Sequence, residues 1–243
     1  MLPVYDLDKI KFATDASTFK RAVGLYESGK IKRFNAEEVG FAAIVQGGNL
    51  YSVFVSVQHY DRGTCTCYLG QEGILCKHMV AVAIHAAMEG GPLSKNDKKL
   101  VSIPISNGKI GTLSKAELAD VKKTVTGALK CIKAYDGPSK IWFTYQRSLE
   151  EGCNRLSTIV SELPISEQTA KLLVELLLRL DKKLSYGGID DSNGTVGGFM
   201  EEVVRVLTEY AKIDPGCLST FGVLEGKETC FGWEEPLLKF LNR

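Results

Sequence analysis

No stretch of this 243-residue chain is apolar for long enough to cross a bilayer: "MVAVAIHAAM" is too short, and "LLVELLLRL" is both short and charged. The first residues, "MLPVYDLDKIKF", lack a basic start followed by an apolar run and a small-residue cleavage site, so a cytoplasmic, intracellular location is expected. Net charge is nearly absent as well, at +1, which excludes a chain that acts through its overall charge. No fixed-period repeat is evident. Phosphate-loop spacing of the form G-x-x-x-x-G-K-[ST] does not occur, nor does a recognisable helicase, kinase or nuclease constellation, so no small-molecule substrate is indicated. With 44% hydrophobic and 24% charged residues, the composition is that of an ordered globular chain long enough for one or two domains.

The near-zero total hides an uneven distribution. Residues 91–135 carry nine Lys/Arg against three Asp/Glu, whereas residues 136–243 carry 12 against 17. A local field can therefore act on partners although the sum is close to neutral.

Along the chain, "TDASTFKRAVGLYESGK" repeats apolar residues at Phe19, Val23 and Tyr26 after Thr and Asp caps, and predicts a helix ended by Gly29. "FAAIVQGGNLYSVFVSVQHY" predicts two strands joined at Gly47, Gly48 and Asn49. An all-round apolar helix follows in "KHMVAVAIHAAMEGG" and is expected to be buried. The Gly-, Pro- and Ser-containing stretch 91–113 lacks periodicity and is expected to be a linker. Beyond Ser114 strand signals nearly vanish. Leu118, Val121, Val125, Leu129 and Ile132 form one helical stripe, and further helices are expected around 139–162, 166–185, 197–212 and 234–242. The expected class is α+β: a module of residues 1–90 built from a helix, a β-hairpin, a cysteine- and histidine-rich knuckle and a helix, then an all-α domain of residues 114–243.

Seven cysteines at irregular spacing do not form a secreted disulfide framework. Cys131, Cys153, Cys217 and Cys230 stand alone and are expected to pack as small hydrophobes. The other three crowd into "CTCYLGQEGILCKH" with a histidine. Cys65, Cys67, Cys76 and His78 offer three thiolates and one imidazole, the donor set of a closed tetrahedral site for one structural Zn²⁺. Ligand atoms around one ion must lie within roughly 4 Å of one another, whereas residues two apart in a helix point about 200° apart. Cys76 must then precede the helix, with His78 in its first turn, and Cys65 and Cys67 must sit in a tight turn. Lys77 and the helix N-terminus offset the net −1 of the site. A catalytic Cys/His pair would need a free imidazole and an oxyanion site, and neither is specified. His85 is expected to pack beside the site, and His59 to end a strand at the surface.

Cys-x-Cys, a short spacer, Cys-x-His and the helix "CKHMVAVAI" resemble the SWIM-type zinc finger, and "GLYESGKI" with "YSVFVSV" is similar to what precedes that finger in prokaryotic members. The resemblance spans roughly residues 15–90. It implies a ββα zinc module that binds DNA or other proteins and occurs beside Snf-type helicases, Mutator-type transposases and recombination factors, whose catalytic parts this chain lacks.

Lys115, Lys122, Lys123, Lys130 and Lys133 fall within about 100° of one helical face, a candidate phosphate-binding stripe. Arg62 and Lys77 flank the knuckle and are candidates for a backbone phosphate, and "KIKRF" is a smaller basic patch. "GIDDSNGTVGGFMEE" fails the EF-hand ligand pattern and is expected to be an inter-helix loop. Trp142, Phe143 and Tyr145 are expected to pack between helices. Two functions remain: a non-enzymatic zinc protein that binds nucleic acid or acts as an adaptor, or a protein-interaction scaffold without direct DNA binding.

Overall fold

The structure, a computed structural model, describes residues 2–241 apart from the Lys140 side chain. The chain divides into two compact units, residues 1–100 and 101–243.

In the first unit, α1 (Leu7–Phe12) and α2 (Ala16–Glu27) are started by carboxylate caps. Asp6 accepts from the Lys9 amide at 2.7 Å, and Asp15 from the Thr18 amide at 2.9 Å. A four-stranded antiparallel sheet follows in the order β1 (Ile31–Glu37), β2 (Gly40–Gln46), β3 (Leu50–Ser56) and β4 (Gly63–Cys65). The expected hairpin is β2 and β3, joined at residues 47–49. Two further strands flank it that periodicity does not reveal. β1 leaves most of its side chains exposed and is interrupted by a bulge between Lys32 and Asn35, where Arg33 adopts φ +51°. β4 has three residues and begins with glycine. "KIKRF" therefore enters the sheet as part of its edge strand.

Alternation places Phe41, Ala43 and Val45 of β2 and Val53 and Val55 of β3 on one buried face. α4 (Lys77–Ala87) packs on the sheet and on α2. Seven consecutive α4 residues, His78 to Ile84, are buried, as the all-round apolar pattern predicts. The segment from residue 91 does not hang free. The Tyr26 hydroxyl donates to the Gly91 carbonyl, Lys11 Nζ donates to the Asn96 carbonyl at 2.7 Å, and Lys98 pairs with Glu27 at 2.7 Å. Short helices α3 (Tyr68–Gln71) and α5 (Lys95–Lys98) complete the unit.

The second unit is helical except for an isolated bridge between Ile110 and Ile165. Its elements are α6 (Lys115–Leu129), a short 3-10 turn (Ser139–Ile141), α7 (Trp142–Glu162), α8 (Glu167–Tyr186), α9 (Thr195–Ile213), a longer 3-10 segment (Pro215–Leu224) and α10 (Glu235–Leu238). Residues 101–113 run against this unit: the Ile105 amide donates to Ser161 Oγ at 3.0 Å, and the Leu113 amide to Gln168 Oε1 at 3.0 Å. α6 opens with a reciprocal cap in which Ser114 Oγ accepts from the Glu117 amide and Glu117 accepts from the Ser114 amide. Leu149, Leu156, Leu173, Leu177, Met200, Val203 and Tyr210 lie at the centre of one continuous core.

Phe143 is 71% exposed rather than packed, while Trp142 donates to Asp190 Oδ2 at 2.8 Å and Tyr145 is buried. Cys153 and Cys217 are buried as expected, but Cys230 is exposed.

Candidate metal centre and nucleic-acid interface

The knuckle begins where β4 ends. Cys65 is the last residue of β4 and Cys67 caps α3, its sulfur accepting from the Gly70 amide at 3.4 Å. A side chain at position 70 would put its Cβ 2.4 Å from the Cys65 carbonyl oxygen, so only glycine lets the loop fold back against the first ligand. Cys76 is the N-cap of α4 and His78 lies in its first turn, the placement that the Cys-x-His spacing requires.

All four ligand atoms lie within 4.8 Å of one another, and all four residues are buried. His78 Nδ1 is 3.7 Å from Cys65 Sγ and 3.9 Å from Cys76 Sγ. Tetrahedral zinc with ordinary bond lengths spaces a ligating sulfur and nitrogen about 3.6 Å apart. The residues therefore fit zinc in donor chemistry and in spacing, and the site is a closed Cys3His centre for one structural ion.

Electrostatics prepares the site for a cation. The Cys65 and Cys76 thiols titrate as a pair: a hydrogen bond between their sulfurs draws Cys76 far below the usual thiol value and pushes Cys65 up, and burial raises Cys65 further. The Cys67 amide donates to Cys65 Sγ at 3.5 Å, and the N-terminus of α4 faces Cys76.

The support of the ligand histidine is unusual. A zinc-bound imidazole ordinarily donates its second N–H to a carbonyl, carboxylate or water. His78 Nε2 is buried with no protein partner; the ring instead stacks on Tyr51 with centroids 4.3 Å apart and an interplanar angle of 28°. The β2–β3 turn closes over it so tightly that a Cβ at Gly47 would come 2.9 Å from Nε2 and 3.0 Å from the Tyr51 ring. Sequence reasoning missed Gly47 and Tyr51 as supports, because Gly47 looks like ordinary hairpin chemistry. His85 is outside the cluster, its ring 4.4 Å from Phe34 and 5.8 Å from Tyr26, and burial lowers its pKa. His59 is exposed.

The basic candidates fall into two groups. Arg62 is exposed just before β4, where its carbonyl accepts from the Ser56 amide at 2.8 Å, and Lys77 is the half-buried first residue of α4. Lys115, Lys122, Lys123 and Lys130 are exposed along α6, with Lys130 at its C-cap. The helix ends at Leu129, so Lys133 lies past the stripe in an irregular segment, where its carbonyl accepts from the Tyr145 hydroxyl. A second basic row on α8 meets this stripe and is not evident from local sequence. Arg179 reaches Thr126 Oγ1 at 3.5 Å, between Lys122 and Lys130 on the same face, and Lys183 Nζ donates to the Ile132 carbonyl at 2.6 Å. Burial and the neighbouring Arg179 charge lower the Lys183 pKa. None of Lys122, Lys130, Arg179 and Lys183 has an ion-pair partner among the described residues.

Asp190 and Asp191 are engaged by the chain itself. Asp191 accepts from the Val196 and Gly197 amides at 2.8 Å each, and Asp190 from Trp142 and the Ser192 amide. The loop is thus the cap of α9. Among the described residues, no helix is long and apolar enough to cross a membrane.

The family model of the SWIM zinc finger matches residues 53–87, from within β3 to the end of α4, and so contains all four ligands. No curated protein and no solved structure matches the chain.

Proposed function

We propose that this is a zinc-stabilised, non-enzymatic nucleic-acid-binding protein whose main phosphate-binding surface is the ridge formed by α6 and α8. The observation that carries it is the convergence of Lys122, Lys130, Arg179 and Lys183 from two helices, none of them with an ion-pair partner among the described residues. Isolated lysines on a helix are usually solvated surface, but like charges held together by tertiary structure maintain a field that suits a polyanion. The metal supplies architecture rather than chemistry. Its four positions are filled by protein ligands, which leaves no open coordination site for a substrate.

A second function, as a protein-interaction scaffold, is favoured by the knuckle loop, which exposes Tyr68 at 77%, Ile74 at 52% and Leu69 at 39%. Fluorescence anisotropy of labelled duplex DNA with zinc-loaded protein separates the two. Binding through the ridge weakens linearly in log[salt], and replacing Lys122, Lys130 and Arg179 by glutamine lowers the slope by about 0.9 for each lost phosphate contact. Absence of binding at low salt, or an unchanged slope in the triple variant, would leave the scaffold function in its place.

A further inference from the structure

The sheet of the first unit has a second face, turned away from α4, whose composition is not that of an ordinary solvated surface. Strand pairing aligns Lys32, Ile44 and Ser52 in one row and Asn35, Ala42, Phe54 and Thr64 in the next. Ala42, Ile44 and Phe54 are half-buried and form the floor of a cavity of about 650 Å³, walled by Arg33, Ser52, Thr64, Thr66 and Gln71. A Cβ at Gly40 would meet the Phe54 ring at 2.5 Å, so the ring lies against that glycine while lining the cavity.

Charge within the cavity has one sign. Arg33 is the cavity's only charged lining residue and no carboxylate lines it; Glu37 stands on the same sheet face outside the lining, opposite Gly40, where it accepts from the Asn35 side-chain amide at 3.5 Å. The Arg33 guanidinium has no hydrogen bond or ion pair among the described residues. Its backbone is nevertheless held at φ +51° in the β1 bulge, a conformation that strains a non-glycine residue. Lys32 shares the outer row with Ile44. An apolar floor with a half-buried aromatic ring, hydroxyl donors and an unpartnered guanidinium complements a ligand that combines a flat apolar surface with an anion.

We infer that this outer sheet face binds single-stranded nucleic acid, one base stacking on Phe54 while a neighbouring phosphate meets Arg33. Arg33 on β1 and Phe54 on β3 are separated by two strand spacings, roughly 10 Å, which a long arginine side chain and an extended nucleotide can span. Duplex is excluded from this mode because its bases keep their faces stacked on one another. An uncharged peptide would leave Arg33 without a partner. The site is separate from the α6–α8 ridge, and either can fail alone.

The test is anisotropy of a short labelled oligothymidylate with full-length, zinc-loaded protein and its Phe54→Leu and Arg33→Gln variants, with zinc content and melting temperature as checks of folding. Phe54→Leu is expected to weaken single-strand binding roughly five- to hundredfold, the range of a lost base stack. Arg33→Gln is expected to weaken it and to lower its salt slope, and both variants should leave duplex binding unchanged. An oligomer with abasic positions reads the stacking without altering the protein and should bind weakly to the parent. Affinities of the Arg33→Gln variant and of the abasic oligomer within twofold of the parent complex would overturn the inference. Duplex binding without any oligothymidylate binding would also overturn it while leaving the ridge in place, and loss of both would overturn both.

Discussion

In residues 101–243 long amphipathic helices close a core from all sides, whereas in residues 1–100 one sheet face is closed by α4 and α2 and the stretch 57–76 contains only a three-residue strand and a four-residue helix. Cores of the first kind are held by buried apolar area. The knuckle has too little regular structure to hold itself, and four ligand bonds do that work there. Zinc binding contributes on the order of 10–16 kcal/mol in small peptides, comparable to the entire stability of many domains. One chain thus contains a knuckle whose order depends on a cofactor and a helical unit whose order depends on packing, and substitutions should separate them.

The largest effect expected is that of Cys67→Ser. Loss of one ligand should abolish tight zinc binding and remove the low-exchange behaviour of the knuckle and the start of α4, while the helical unit keeps its transition. Zinc stoichiometry by native mass spectrometry and a calorimetric scan check this; full zinc content with an unchanged melting temperature would contradict it. Next comes Leu173→Ala in the centre of the helical core, fully buried. It should cost about 2–5 kcal/mol in the helical transition alone and leave zinc content at one ion.

Gly47→Ala sharpens the comparison further, because it inserts a methyl group 2.9 Å from His78 Nε2 without touching a ligand sulfur. Zinc affinity measured by chelator competition should fall about tenfold or more, and the overpacked turn should cost about 1–3 kcal/mol. Affinity equal to the parent would show that the turn does not position the imidazole.

Mild acid should produce the smallest difference. Burial holds the folded pKa of His85 below its ordinary value of about 6.5, so the unfolded chain takes up a proton that the folded module refuses. Stability of the first unit is therefore present above that value and declines as pH falls from about 6.5 towards the folded pKa. All three histidines lie in residues 1–100, so the helical unit lacks this response. A His85→Phe variant should lose part of the shift in the module's melting temperature between about pH 7 and about pH 5.5.

The legible parts of the molecule were those whose chemistry is local. Cys65, Cys67, Cys76 and His78 reveal a zinc site because ligand type and spacing sit within one short segment, and tetrahedral geometry alone placed Cys76 before α4. The helices of the second unit were legible because their apolar periodicity runs through several turns. β1 escaped because an exposed edge strand broken by a bulge at Arg33 has no alternation to read. Arg179 and Lys183 escaped as partners of α6 because they join it only through tertiary packing, about fifty residues further along the chain. The same is true of the Tyr51 ring stacked on His78.

The most direct measurement is peptide-resolved hydrogen exchange on the full-length protein with and without a strong zinc chelator. Protection should be lost across Cys65–Ala87 and the adjoining β3, and retained in α7, α8 and α9. Unchanged protection of α4 after the metal has been removed, or equal loss in both units, would contradict a molecule in which zinc holds the knuckle and packing holds the helical unit.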